Sequence, residues 1–375
     1  MGRQGTAGTA AQYVLACIMN ITLRPQWDVG PPGGARVDTT ALLALLSGVQ
    51  ETGSLAQAAR GVGQSYRHAW GLVKGAEALF GAPLIDSGRG RGSTLTELAH
   101  KLIWADRRIA ARLSPLLESL ASELERDLDR SLTPQRSAVR IDASHGFAVA
   151  RLLEQMHATQ LPVELRYRNS LESVASLARG DCDLAGLHVP IGEFEAHALR
   201  RYLRWLRADT HCLVHVAVRT QGLFVARDNP KKVRGIADLT RADLRFVNRP
   251  EGSGTRVLTE LLLEREHIPE SAVLGFDDTE LTHAAVAAYI ASGMADVGIG
   301  VQTAAQRFGL HFIPLLRERY FFALRIAALE QPHVKAVLTM LGSPASRAAI
   351  ASLAGYHAAE TGRIQRLGEA FERLP

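Results

Sequence analysis

The sequence predicts a mostly α-helical N-terminal domain, a long linker helix and a two-lobed α/β C-terminal module. Between residues 39 and 80, apolar residues recur at helical spacing around short glycine turns. Leucines at three- and four-residue steps then run from Leu98 to Leu128. From Val139 onward, strand-like and helix-like segments alternate, which is typical of a parallel sheet with helices on its faces.

The composition favours a globular chain with one basic part. The chain has 375 residues and a formal net charge of +5, enough length for about two or three domains. Nine basic and four acidic residues lie between residues 54 and 112, so the basic excess resides there. This distribution indicates nucleic-acid contact through one domain.

The isolated Cys17, Cys182 and Cys212 fit neither a disulfide framework nor a zinc site, which favours a reducing cytoplasm. No stretch has transmembrane length, so no membrane partner is expected.

The N-terminal domain has the pattern of a winged helix-turn-helix. Ser54 is suited to cap a short helix, Gly61 and Gly63 to turn the chain, and Ser65 to cap a second helix. Thr39 or Thr40 is expected to cap the helix before them. Because a major groove admits a helix, the second one is predicted to recognise DNA. The side chains predicted to contact DNA from it are Gln64, Ser65, Tyr66, Arg67, Trp70 and Lys74.

A glycine- and arginine-rich segment, residues 87–93, fits the tip of the wing between two short β runs. Arg89 and Arg91 would follow a phosphate chain or a minor groove. The alternative is a hairpin tip whose arginines are only solvated.

These motifs resemble the DNA-binding domain of ModE, the molybdate-responsive regulator, and the related domain of LysR-type regulators. The resemblance covers about residues 37–112 and is sharpest in Ser65-Tyr66-Arg67-His68-Ala69-Trp70. It implies a transcription regulator that binds a double-stranded DNA operator.

The leucine stripe predicts a linker helix with a dimer contact, because helix-turn-helix proteins commonly read two half-sites as symmetric dimers. Packing of the stripe against the chain's own domains is the alternative. Pro115 interrupts the pattern, and Ser114 could cap a restarted helix, so a kink or two helices are expected. The expected assembly is a homodimer or a tetramer.

The C-terminal module resembles the type II periplasmic-binding-protein fold. The resemblance is carried by Asn248-Arg249-Pro250-Glu251-Gly252-Ser253-Gly254-Thr255-Arg256, Glu280-Leu281-Thr282-His283 and the segment 293–300. These strings look like the corresponding domain of molybdate- and tungstate-related regulators, whereas ModE itself carries small β-barrel domains. The expected boundaries are a flexible lead at 1–24, the winged domain at 25–97, the linker and dimerisation helix at 98–137 and the effector module at 138–375. Within the module, lobe I would span about 138–220 and 325–375, and lobe II about 221–324.

Polar residues stand at four strand-to-helix junctions of this module. Helix N-termini at such junctions favour anions, and open α/β sheets bind ligands there. A ring of these groups would enclose a tetrahedral oxyanion; alternatively, each hydroxyl only caps its helix. Arg249 and Arg256 are candidate cations, with Arg256 preferred because it lies in a first helical turn. The predicted ligand-binding residues are Ser144, Asn169, Ser170, Ser253, Gly254, Thr255, Arg256, Thr282 and His283.

Taken together, the residues and the resemblances predict a cytoplasmic, ligand-responsive transcription regulator. Molybdate or tungstate is the leading effector by resemblance, and a small organic acid or a molybdenum-cofactor-related pterin is the alternative. An enzyme on a binding-protein fold is a further alternative, but no catalytic motif supports it. His211 and His215 are expected to be a packed pair, so neither a metal nor a cofactor is predicted.

Overall fold

The computed structural model describes residues 21–34, 36–88, 92–132 and 138–371. Most of the expected N-terminal lead, Cys17 and the wing residues Arg89 and Arg91 lie outside these ranges. Within them, no helix combines the length and the apolar character needed to cross a membrane.

Thirteen helices and thirteen strands are present in the described ranges. The helices are α1 (Thr39–Thr52), α2 (Leu55–Gly61), α3 (Tyr66–Phe80), α4 (Glu97–Leu132), α5 (Phe147–Ala158), α6 (Ser170–Arg179), α7 (Glu195–Tyr202), α8 (Gly254–Arg265), α9 (His283–Ala291), α10 (Gln302–Arg307), α11 (Pro332–Leu341), α12 (Pro344–Ala351) and α13 (Leu367–Ala370). The strands are β1 (Asp28–Val29), β2 (Val37–Asp38), β3 (Ile85–Gly88), β4 (Gly92–Leu95), β5 (Val139–Ala143), β6 (Val163–Tyr167), β7 (Leu184–Pro190), β8 (His211–Val225), β9 (Phe246–Val247), β10 (Val297–Val301), β11 (His311–Arg325), β12 (Tyr356–His357) and β13 (Ile364–Arg366).

The N-terminal domain consists of α1 to α3 and the β3–β4 hairpin, as the helix-turn-helix pattern predicts. The Ser54 hydroxyl accepts from Gln57 N at 3.3 Å, and the Ser65 hydroxyl from His68 N at 3.2 Å, so both predicted caps are present.

The expected cap of α1 is wrong: Asp38 accepts from Thr40 N at 2.8 Å, whereas Thr39 is already the first helical residue. A carboxylate takes this place because it satisfies a free N–H next to the positive end of the helix.

The C-terminal module is built on one mixed sheet with the order β6-β5-β7-β11-β8-β10-β9, and β12 and β13 also pair with β8. Strands β5, β6 and β7 are parallel, but β8 and β11 run antiparallel to each other. The parallel arrangement expected from the alternation of strands and helices after Val139 is confirmed for β5, β6 and β7, and the antiparallel β8 and β11 extend this sheet.

Strands β8 and β11 are shared by two lobes. Each has 15 residues, although the sequence predicts two separate short strands in each place. Lobe I is the part of the sheet with β5 to β7, covered by α5, α11 and α12 on one face and by α6, α7 and α13 on the other. Lobe II is the part with β9 and β10, covered by α8 on one face and by α9 and α10 on the other.

Helix α4 is continuous through Pro115, so of the two expected outcomes, a kink or two helices, the second is wrong. A proline has no N–H, which leaves the carbonyl of residue 111 without its normal helical partner. The hydroxyl of Thr282, at the start of α9, donates to Ala111 O at 3.1 Å. This bond supplies the missing donor from lobe II, so α4 tolerates the proline without an orphaned carbonyl.

One face of α4 packs against the C-terminal module of its own chain. Leu165 N donates to Ser122 Oγ at 3.0 Å, and Tyr167 N to Ser119 Oγ at 3.4 Å. Both donors belong to β6, the edge strand of the sheet. The neighbouring side of the helix carries a stripe of exposed leucines, namely Leu113, Leu116, Leu120, Leu124 and Leu128, and Leu116 lies at the border between the two sides. The helix therefore packs on its own chain along one side, as the alternative to a dimer contact predicts. Beside this contact it leaves a stripe of leucines exposed.

Candidate functional site

The candidate ligand site is a cleft of about 530 Å³ between the two lobes. It lies beyond the carboxyl ends of β5 and β6, where open α/β sheets bind ligands. The structure brings seven of the predicted ligand-binding residues to its walls: Ser144, Asn169, Ser170, Ser253, Gly254, Thr255 and His283.

Two of these polar side chains cap helices. Asn169 Oδ1 accepts from Glu172 N at 2.9 Å at the start of α6. Ser253 Oγ accepts from Arg256 N at 3.1 Å at the start of α8. Each group thus serves its helix as an acceptor, while the Ser253 hydroxyl and the Asn169 amide keep protons for donation.

Thr282 has a structural role in place of the predicted ligand contact. Its hydroxyl accepts from Ala285 N at 2.9 Å and donates to Ala111 O, and it does not line the cleft. Both bonding directions of the hydroxyl are occupied within the protein, so Thr282 fits α4 rather than a ligand.

A buried ion pair lies at the base of the cleft, where both lobes share β8 and β11. Arg219 on β8 donates to Glu318 on β11 at 2.5 Å, and Gln221 donates to the same carboxylate at 3.0 Å. Gln221 Nε2 also donates to Thr255 Oγ1 at 3.2 Å. Burial opposes the charge of Arg219, but the Glu318 carboxylate raises the pKa of this guanidinium above its ordinary value. The positive charge of Arg219 is thus balanced by a carboxylate of the protein itself.

Arg249 differs, since no carboxylate pairs with it among the residues that the structure describes. Its Nη2 donates to Leu281 O at 2.7 Å, and its buried Nε has no partner. Burial and repulsion from Arg219 lower the pKa of Arg249 to about 10. A partly buried cation without a counter-charge is costly, and an anion in the cleft would offset that cost.

The preference for Arg256 over Arg249 is not supported by this geometry. Arg256 lies 3.9 Å above the ring of Phe276 and donates to Glu260 at 2.7 Å. It does not line the cleft. Its position in the first turn of α8 points its side chain along lobe II and away from the ligand site.

Two neutral histidines complete the walls. His188 stacks on Tyr320 with the ring centres 4.2 Å apart, and its Nε2 is buried without a partner, as is Nδ1 of His283. Burial, together with the cations Arg219 and Arg249, holds the pKa of both imidazoles well below the ordinary value. Uncharged imidazoles can donate or accept, so they suit a ligand with polar edges.

Several lining residues were missed by the sequence analysis. Lobe I contributes His145, Tyr167 and Arg168, the shared strand β8 contributes Arg219, and α4 contributes Arg112, Pro115, Leu116 and Ser119. For Arg219 a signal existed, because a cation with two polar neighbours, Thr220 and Gln221, interrupts the apolar run of β8. The contribution of α4 carries no local signal, because it depends on how the helix packs on the lobes.

The predicted DNA-binding face is the exposed side of α3. Tyr66 is 54% exposed and Trp70 37% exposed, and their rings stack with centres 6.2 Å apart. Arg67 is exposed beside them.

The other predicted DNA contacts have partners or positions of their own. Lys74 lies 4.7 Å from the centre of the Trp70 ring and 2.5 Å from Glu77, so its charge is partly neutralised. Ser65 caps the helix, and Gln64 is half-buried with its side-chain oxygen unpartnered.

His211 and His215 are both buried on β8. Within the described ranges, no group of three or more His, Cys, Asp or Glu side chains could hold a metal ion.

Comparison with known proteins identifies the class of the C-terminal module. The family model described as PBP superfamily domain matches residues 150–342, and the chain belongs to this family. The uncharacterized protein YvgK of Bacillus subtilis (strain 168) is 36% identical over 202 residues, which cover 53% of this chain and 64% of that protein. The molybdenum-pterin-binding protein MopB of Rhodobacter capsulatus is 38% identical over 98 residues, covering 25% of this chain and 36% of that protein. The chain thus spans less than two thirds of the length of both relatives.

Among solved structures, a hydrogen-peroxide-bound variant of OxyR from Corynebacterium glutamicum superposes with a TM-score of 0.43 at 15% identity. The superposition covers 83% of this chain and 93% of that chain.

Proposed function

We propose that this chain is a cytoplasmic, DNA-binding transcription regulator that senses a small anionic ligand between the lobes of its C-terminal module. The observation that carries the ligand proposal is Arg249, which has no carboxylate partner among the described residues and lies in a cleft where helices α6 and α8 begin. Helix N-termini and an uncompensated guanidinium both favour a negative charge at this place. The exposed aromatic and basic side chains of α3, on the basic part of the chain, support DNA as the second partner.

The DNA proposal predicts different effects for the helix and the wing. Arg67→Ala should weaken binding to a preferred duplex by about 1–3 kcal/mol if the guanidinium reaches a base. Arg89→Ala and Arg91→Ala should weaken binding to all duplexes and reduce its salt dependence, because phosphate contacts carry no sequence information. Gel shifts at two salt concentrations measure both effects, with Arg265→Ala on lobe II as the control. Unchanged affinity in all three variants would remove the support for a winged helix that binds DNA.

The identity of the anion is open between two chemistries. Molybdate or tungstate is suggested by the resemblance of the sequence motifs. A small organic acid or a pterin is favoured by the size of the cleft, because about 530 Å³ lies within the range of pockets that hold drug-sized ligands. The Rhodobacter protein, whose name records molybdenum-pterin binding, matches 25% of this chain and does not distinguish the two chemistries.

Thermal shift and calorimetry with molybdate, tungstate, sulfate, succinate, benzoate and pterin-6-carboxylate should distinguish them. We expect one class to stabilise the protein, and Arg249→Met to weaken its binding at least about tenfold, since a hydrogen bond to a charged group contributes about 1.5–3 kcal/mol. Arg256→Met is the matched control and should keep the affinity. The ligand proposal fails if none of the anions binds, or if the two variants lose affinity equally.

A further inference from the structure

Helix α4 closes one side of the ligand cleft. Arg112, Pro115, Leu116 and Ser119 line the cleft together with residues of both lobes. Their spacing of three, one and three residues places them on one face of the helix. The same helix begins at Glu97, directly after the wing strand β4. A single rigid element therefore connects the cleft with the winged domain.

The helix is bonded to lobe I through a cluster of polar side chains. Ser114 Oγ lies 3.0 Å from His145 Nε2, and Tyr167 OH donates to Glu118 Oε2 at 2.6 Å. Glu118 also lies 3.3 Å from His145 Nε2. Burial opposes ionisation of Glu118, but the bonds from His145 and Tyr167 keep its pKa below the ordinary value. A charged carboxylate thus ties α4 to the loop after β5 and to the last residue of β6.

The helix is also bonded to lobe II. Arg112 Nε lies 2.8 Å from Glu280 Oε2, and Thr282 donates to Ala111 O. Because α4 is attached to both lobes across the opening of the cleft, a change in the distance between the lobes has to strain or break one of these attachments.

We propose that α4 is a wall of the ligand site, that Arg112 and Ser119 contact the bound anion, and that the ligand acts on the winged domain directly through this helix. This inference rests on the proposed function. Arg112 brings a second guanidinium to the cleft: its Nε pairs with Glu280, and its two terminal nitrogens can donate to a ligand. Ser119 brings a hydroxyl that can donate while its oxygen accepts from β6. Ligand and DNA then bias the same element, so each changes the affinity of the protein for the other by the same factor.

A tryptophan on the cleft-lining face of α4 would report the ligand. Leu116→Trp places the indole at the cleft, whereas Leu113→Trp places it on the same helix and the same exposed stripe but away from the cleft. Titration with each anion of the panel, sodium molybdate and pterin-6-carboxylate included, should change the emission of the Leu116→Trp variant only. Arg112→Gln should lower the affinity of the stabilising anion measured by calorimetry. If an anion binds but both reporters respond alike and Arg112→Gln binds normally, α4 is not a wall, although the proposed function stands.

A second test of the coupling through α4 needs no ligand. Tyr167→Phe removes the hydroxyl bound to Glu118 on α4, whereas Tyr202→Phe removes one that donates to His188 O at 3.0 Å within the same lobe. Affinity for a duplex selected from a random pool on the wild-type chain should change at least about fivefold for Tyr167→Phe and stay unchanged for Tyr202→Phe. Equal affinities overturn the coupling through α4, and a wild-type chain that selects no duplex overturns the proposed function with it.

Discussion

Replacement of Glu318 by glutamine should lower the free energy of unfolding by about 3–5 kcal/mol. Glutamine keeps the shape of the side chain but removes the negative charge that Arg219 faces at 2.5 Å. Arg219, a buried side chain, would then lose its counter-charge while the nearby cation Arg249 repels it. Chemical denaturation monitored by circular dichroism gives the loss directly.

The matched control is Glu97→Gln, which removes an exposed pair with Lys101 at 2.7 Å and should cost less than about 1 kcal/mol. A combined Glu318→Leu and Arg219→Met variant should recover much of the lost stability, because it removes both buried charges. If Glu318→Gln costs no more than the control, the pair does not stabilise the strands β8 and β11 that the two lobes share.

Charged residues on the exposed leucine stripe of α4 should turn the expected dimer into monomers. Leu120 and Leu124 are 43% and 44% exposed on the free side of the helix. A buried leucine contributes about 1.5–3 kcal/mol. The double variant Leu120→Glu and Leu124→Glu changes four leucines per dimer, so it should weaken association at least about 100-fold. Sedimentation at micromolar concentration measures the change.

Leu274→Glu provides the control, since Leu274 is 52% exposed on lobe II without such a stripe around it. It should leave the assembly unchanged. A wild-type chain that sediments as a monomer, or a double variant that remains a dimer, would show that the stripe is not the dimer contact.

Local features of the fold were predictable from the sequence. The caps Ser54 and Ser65 and the inner leucines of α1 follow from helical periodicity and the side-chain chemistry of a few neighbouring residues. The strand-to-helix junctions of the second module were also predictable. The parallel order of β5 and β6 brings Ser144, Asn169 and Ser170 to one edge of lobe I, whereas their meeting with the junctions of lobe II depends on the two strands that the lobes share.

Features that depend on distant partners were not predictable. Taken alone, the polar stretch around Arg219 and Gln221 indicates a break in a strand. Strand β8 continues through this stretch because both side chains bond to Glu318, which lies 99 residues beyond Arg219 in the sequence. Arg256 was preferred for its place in a helical turn, yet the direction of each guanidinium is set by Phe276 and Leu281, which belong to other segments. The packing of α4 on two lobes is likewise a tertiary outcome without a local pattern.

The two serines of α4 that accept from β6 have a consequence for the solubility of the module. An uncovered edge strand presents free N–H groups to any other extended chain, and such edges promote aggregation. Ser119 and Ser122 occupy the outward N–H groups of Tyr167 and Leu165. A fragment that begins after α4 would expose this edge, so the linker helix protects the effector module against strand addition by a neighbouring molecule.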